Sequence, residues 1–326
     1  MSTFASTVPI TPLYDAYHDG TSFLYEVMEY NKLPIDFPEQ LCKLRERGMI
    51  ITNESEALEL LGSISYFRLA SYWRSMETDS ESDNHQFFPN THFDDVINLY
   101  LLDEELRALI FTAIQNIEIA LRTRIIHHFS LKLGSFWFMD NSLFKNAVIY
   151  EHCLLSLKNE LGRSKEDFIQ EHFRKYEKPD FPPVWKTLEV VSFGTLSKLY
   201  CNMKDAEVKK RVAKSFNLPQ YPFLENWIKA ASVLRNCCAH HVRLWNRRFP
   251  VIPKLPQELP LKWITNQHIR PMKLYAQLCY LAYMEQSIVP NHQFRKEIVD
   301  LLSDKPKTVL KAMGFPENWQ SEPLWN

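Results

Sequence analysis

The stretch from about Asp94 to Leu133 leaves this chain the fewest choices. It is the longest periodic element, and Gly134 ends it. Leu106, Ile110, Ala113, Ile117 and Leu121 recur at steps of three and four, which draws one apolar stripe along a helix. Such a stripe is stable only when other elements cover it. The chain has only 7 glycines, so few positions can take positive φ, and hairpin-rich β architecture is disfavoured. The reading is mainly α.

At 326 residues the chain suffices for one large domain or two ordinary ones, with ample core. Hydrophobic residues at 45% and charged residues at 24% describe a globular protein and exclude wholesale disorder. The formal net charge of −1 gives no overall attraction for nucleic acid, so any such binding must use a local basic face. The six cysteines contain no C-x-x-C pair, which fits a reduced, cytoplasmic protein. Met1 to Tyr14 lacks the pattern of a signal peptide, and none is expected. No stretch reaches the ~18–20 apolar residues of a membrane span.

Residues 1–36 lack periodicity and read as an irregular surface arm. A helix is predicted over Pro38 to Arg47, stopped by Gly48. Asn53-Glu54-Ser55-Glu56 reads as a capping box opening a helix through Leu61. The aromatic segment Ile64 to Trp73 should pack on the main body, and the polar residues 77–92 form a loop. After the long helix, helices are predicted near 146–160 and 165–176, the second capped by Ser164. Val184 to Tyr200 reads as two helical pieces hinged near Gly194. Residues 205–216 form a basic amphipathic helix whose Lys209, Lys210, Arg211 and Lys214 read as a solvated face, with phosphate contact as the alternative. A helix from about Phe223 carries a stripe of Phe223, Trp227, Ala230, Leu234, Cys237 and His241. An extended, proline-marked connection, a helix from about 267 to 287 and shorter helices to about 313 follow.

The helix from Phe223 ends in Arg235-Asn236-Cys237-Cys238-Ala239-His240-His241-Val242-Arg243-Leu244-Trp245-Asn246-Arg247, dense in cations and hydrogen-bonding groups. Asn236, His240, Arg243 and Arg247 are placed beside the buried stripe by helical spacing. Arg, Asn and His together suit gripping an anion and moving a proton. An Arg/His pair without carboxylates suits metal-independent RNA cleavage. In that reaction the ribose 2′-OH attacks the adjacent phosphate, His exchanges protons and Arg steadies the phosphorane. The plainer reading is that Arg235 and His240 cap carbonyls at a helix C-terminus. Residues five apart lie about 140° around a helix, so the pair converges only through a distorted last turn or a second copy of the helix. Glu118 and Arg122, at i,i+4, and Arg124 read as supporting groups or as surface ion pairs. His127 and His128 adjoin no Cys or carboxylate at metal spacing, so no metal site is expected. No P-loop, Rossmann or α/β-hydrolase motif is present, and no cofactor is expected.

Arg235 to His240 resembles the R-N-x-x-x-H signature of HEPN-type ribonucleases. The Tyr-Phe-Arg-Leu core within Ile64–Trp73, Leu101 to Arg107, Ile117 to Thr123, the Ser-Phe-Gly-Thr-Leu-Ser segment of Trp185–Leu199 and Arg235 to Arg247 together are similar to the Abi-like (AbiD/AbiF) family of bacterial abortive-infection proteins. The likeness covers roughly residues 40–250. It implies an all-α HEPN-type helical bundle over 91–250, with an N-terminal arm and helical extension over 1–90 and a C-terminal helical segment over 251–326. It further implies phage defence, RNA as substrate, and a composite site between two motifs of a homodimer. Arg235 and His240 carry over as the catalytic pair, with Asn236 orienting. Arg243, Arg247, Arg122 and Arg124 are the RNA-binding candidates, with Glu118 supporting. A small structured RNA is the implied restraint. The alternative is a non-catalytic RNA-binding protein in a stable protein–RNA complex.

Overall fold

A computed structural model of the chain describes residues 32–79, 85–266, 268–288 and 293–326. Among these residues are thirteen α-helices and no strand. Residues 1–31 of the expected arm and 80–84 of the expected loop lie outside the described residues. α1 (Phe37–Glu46) opens on a reciprocal capping box that the sequence reading missed. Asp36 Oδ1 accepts the Glu39 N–H at 2.8 Å, and Glu39 Oε2 accepts that of Asp36 at 3.0 Å. Gly48, at φ +91°, ends α1 in the predicted position. At the start of α2 (Glu54–Ile64), Asn53 Oδ1 accepts the Glu56 N–H, but Glu56 answers the Asn53 side-chain amide, so the predicted box is half formed. Ser65 then breaks the path at φ +71°, and the aromatic segment becomes its own helix, α3 (Tyr66–Trp73).

α4 (Phe93–Leu133) has 41 residues and, at 1.5 Å per residue, is about 60 Å long. All five residues of the predicted stripe are buried. α3 lies against it, followed by helices from the second half of the chain. α5 (Ala147–Arg163) and α6 (Asp167–Lys175) match the predicted pair, but Ser164 closes α5 and does not cap α6. Its Oγ accepts the Glu166 N–H at 3.3 Å. The expected hinge at Gly194 is displaced as well. α7 (Val184–Thr187) ends early, and α8 (Phe193–Asn202) takes Ser192 as its N-cap, with Gly194 inside its first turn. α9 (Ala206–Ser215) and α10 (Tyr221–Ala239) follow, and α10 packs on α4, α8 and α9.

The C-terminal residues complete the core. In α11 (Leu274–Gln286), shorter than predicted, every residue from Leu274 to Glu285 is buried, as a helix apolar all round requires. Trp227 of α10 stacks on Trp263 and Tyr280, with centroids 5.8 and 5.7 Å away, and its indole N–H donates to Lys254 O at 2.7 Å. α12 (Phe294–Leu302) packs on α4 and α11, and α13 (Lys307–Ala312) follows it.

The Glu285 carboxyl sits inside this core. Burial pushes Glu285 up to about 8, with the Asn116 amide drawing it back and the Glu297 charge adding to the rise. Between about pH 4.3 and 8 the unfolded chain has lost this proton while the folded chain keeps it, so stability falls as pH rises through that window. Glu285→Gln is therefore expected to raise stability at pH 7 by about 1–3 kcal/mol. Thermal unfolding followed from pH 4.5 to 8 should show a flatter profile for the variant. Parallel profiles would mean that Glu285 does not titrate in this range.

Candidate functional site

α10 ends one residue before His240. The His241 N–H reaches Cys238 O at 3.1 Å and the Val242 N–H reaches Cys237 O at 2.8 Å, the paired bonds of a Schellman stop. The position that glycine usually fills in such a stop is held here by His241, at φ +54°. The predicted stripe is buried from Trp227 through Ala230 and Leu234 to Cys237, while Phe223 is half-buried. His241 departs from it: the chain has left the helix, so helical spacing no longer governs, and His241 is exposed. For the same reason Arg243 and Arg247 lie on the following turn and not on a helix face beside Asn236.

That turn is clamped from two other helices. On α3, Arg68 Nη1 donates to His241 O at 2.7 Å, and Ser71 O accepts from Arg243 Nη1. On α4, the fully buried Asp103 carboxylate accepts the N–H groups of Leu244 at 2.9 Å and Trp245 at 2.6 Å. It also accepts the Tyr72 hydroxyl at 2.8 Å and Arg107 Nη1 at 2.6 Å. Burial pushes the Asp103 carboxyl up, and the Leu244, Tyr72, Arg107 and Trp245 donors pull it back. A left-handed conformation costs a non-glycine residue about 1–2 kcal/mol, so the clamp offsets the strain at His241. Three stretches quoted above for their family likeness, those of Tyr72, Asp103 and Leu244, therefore meet at one point.

The exposed groups stand beside this anchored turn. His240 and Asn236 are exposed, and Arg235 is half-buried. Arg235 Cζ lies 5.9 Å from the Phe111 ring centroid, and its Nη1 is 3.4 Å from Asn236 Oδ1. His240 is the C-cap of α10 through its backbone: its N–H closes Asn236 O at 3.0 Å, beside the N–H groups of His241 and Val242. No hydrogen bond among the described residues joins Arg235 to His240 within one chain. Arg243 is tied to α3, while Arg247 is half-buried near Cys237 and has no ion-pair partner among the described residues.

The remaining candidates are elsewhere. Arg122 is buried, with Nη2 bonded to Glu118 Oε1 at 2.7 Å and to Val191 O at 3.0 Å, where it holds the turn that leads into α8. Arg122 is eleven residues along α4 from Phe111, a rise of about 16 Å, so it is separated from Arg235. Arg124 packs its guanidinium 3.9 Å from the Phe216 centroid and bonds Ser287 O at 3.1 Å. Lys209, expected on a solvated face, is fully buried. Its Nζ donates to Glu225 Oε1 at 2.6 Å and Cys201 O at 3.0 Å, and burial lowers its pKa to about 8. Sequence reasoning passed over Arg68 and Asp103 as functional supports. Their visible signs were the i,i+4 spacing of Asp103 and Arg107 and the place of Arg68 and Asp103 in stretches quoted for family likeness.

Among the described residues no three or more His, Cys, Asp and Glu side chains gather as metal ligands, no helix is long and apolar enough to cross a membrane, and all six cysteines are free. The family described as Abi-like protein matches residues 59–246. That range begins within α2, covers the whole clamp and stops at Asn246. No curated protein and no solved structure matches the chain.

Proposed function

The chain belongs to the Abi-like protein family, and on that footing we propose that it is an abortive-infection protein of phage defence and acts as a metal-independent HEPN-type endoribonuclease. The observation that carries this reading is the anchored turn after α10. It presents an exposed His240 next to Asn236 and Arg235 on a base fixed by Arg68, Arg243 and Asp103. Cleavage at a phosphodiester requires a proton-transfer group on a fixed base and a guanidinium brought to the same phosphate. His240 takes the proton of the ribose 2′-OH as that oxygen attacks the adjacent phosphorus. The bond to the 5′-oxygen breaks, and this oxygen takes up a proton, leaving a 2′,3′-cyclic phosphate and a 5′-OH. Arg235 neutralises the charge on the phosphorane, and Asn236 holds Arg235 in place.

Among the described residues no hydrogen bond joins Arg235 to His240 within one chain, and that separation favours a site completed across a homodimer, with Arg235 of one protomer facing His240 of the other. RNA is the substrate and, through a small structured RNA, the restraint on a toxic activity in the cytoplasm. The same separation also supports a second reading, a protein that binds RNA without cutting it.

Purified full-length protein, stripped of bound RNA, is expected to cleave RNA in the presence of EDTA and leave 2′,3′-cyclic phosphate ends. It should sediment as a dimer. Protein that binds RNA but leaves it intact, with or without divalent cations, would establish the second reading.

A further inference from the structure

The turn after α10 leads directly into a second basic region that lies beyond the family match. The Phe249 N–H donates to Met272 O at 2.8 Å, and Lys273 Nζ donates to Asn246 Oδ1 at 2.7 Å. These bonds set residues 246–249 against 270–273. A pocket of about 240 Å³ opens there, with His268, Arg270, Lys307, Lys311, Gly314 and Glu317 in its wall. Arg270, Lys307 and Lys311 are exposed, and among the described residues none of them has a carboxylate within ion-pair distance. Burial, and then the fields of Arg248, Arg270 and Arg243, hold the Lys273 ammonium below its ordinary value. Arg248, Arg270 and Lys273 therefore lie within reach of one another's fields, and with Lys307 and Lys311 the pocket wall carries more cations than its one carboxylate, Glu317.

Gly314 lets the wall close. Its φ is +88°, and a Cβ on it would stand 2.5 Å from Lys273 Cβ and 3.2 Å from Lys273 Cγ. Only a residue without a side chain can pass so near. The arrangement suits a run of phosphates better than a single anion, because the exposed Arg248, whose field reaches Lys273, links the pocket to the turn that carries His240. The whole chain carries a formal charge of −1, so this concentration is local and not a general excess.

We propose that Arg270, Lys307 and Lys311 form a docking site for the RNA phosphate backbone, placed by the C-terminal segment and joined through Arg248 to the end of α10. This inference rests on the reading of the chain as an RNA-acting protein. It gives residues 251–326 a task besides filling the core.

The test compares full-length proteins in a His240→Ala background, so that RNA is not consumed. A labelled single-stranded RNA without secondary structure is titrated at several salt concentrations. The triple variant Arg270→Gln, Lys307→Gln, Lys311→Gln is set beside a control, Lys43→Gln, Lys158→Gln, Lys175→Gln, which removes the same charge from exposed positions elsewhere. The expected result is about ten- to hundredfold weaker binding at low salt and a log–log salt slope shallower by about 2 for the first triple only. Equal loss in both triples would reduce the effect to net charge and overturn the site. Unchanged RNA binding in both would overturn it while leaving the RNA-acting reading intact. A parent that binds no RNA would overturn both. Inorganic phosphate supplies a further arm: phosphate binding lost in the first triple with RNA affinity unchanged would make the pocket a small-anion site and overturn the RNA proposal.

Discussion

His240→Ala is expected to lower RNA cleavage by about 10²- to 10⁴-fold, the usual contribution of a positioned proton-transfer group, and to abolish growth toxicity. His240 is exposed, and only its backbone takes part in the Schellman stop. The melting temperature should therefore hardly move, since exposed substitutions of this kind usually change stability by about 0.5 kcal/mol or less. Arg235→Ala should reduce cleavage by about 10²- to 10³-fold, with a small added loss of stability from the lost packing on Phe111. Arg235→Lys keeps the charge but not the planar fork, so it should rescue only part of the activity. Mixing the two inactive variants is more telling. If each site takes Arg235 from one protomer and His240 from the other, a heterodimer contains one intact site, and activity returns on mixing. Two inactive proteins that exchange subunits and stay inactive would sink the arrangement across the dimer.

Asp103→Ala is expected to be the most damaging single change to the fold near the site. It removes the acceptor for two buried backbone N–H groups and leaves Arg107 as an uncompensated buried charge. Breaking a buried pair of this kind costs about 3–5 kcal/mol, which corresponds to a fall in Tm of about 5–10 °C for a chain of this size. Calorimetry checks the fall, and RNA cleavage measured well below the new Tm checks its consequence for the turn. Asp103→Asn keeps the shape but places an amide where four donors converge, so part of the loss should remain. A variant as stable as the parent would mean that the carboxylate is not what holds the turn.

The parts legible in the sequence are those governed by local periodicity. The stripe from Leu106 to Leu121, the stops at Gly48 and Gly134 and the four buried residues of α10 follow from spacing along one chain segment. Gly194 misled because a strong N-cap, Ser192, outranks a glycine that needs no special φ. His241 misled because a non-glycine residue can end a helix where tertiary bonds compensate, and those bonds come from Arg68 and Asp103. Lys209 misled because its partner Glu225 stands on another helix. The composition of residues 205–216 contains no trace of that pairing. For His241 and Lys209 the deciding contacts come from other helices, beyond the reach of a local window of sequence, whereas the Ser192 cap is local and competes directly with the glycine.

The anchoring of the His240 turn also has a consequence for synthesis. Arg68 reaches a residue 173 positions later and Asp103 one 141 positions later, so the turn takes its shape only after α3, α4 and the end of α10 have all emerged and met. Such distant pairings are late events in folding. A nascent chain that has displayed most of its basic residues on the ribosome still lacks a fixed His240. If the activity is as toxic as proposed, no cleavage site is set before all three segments have emerged and met.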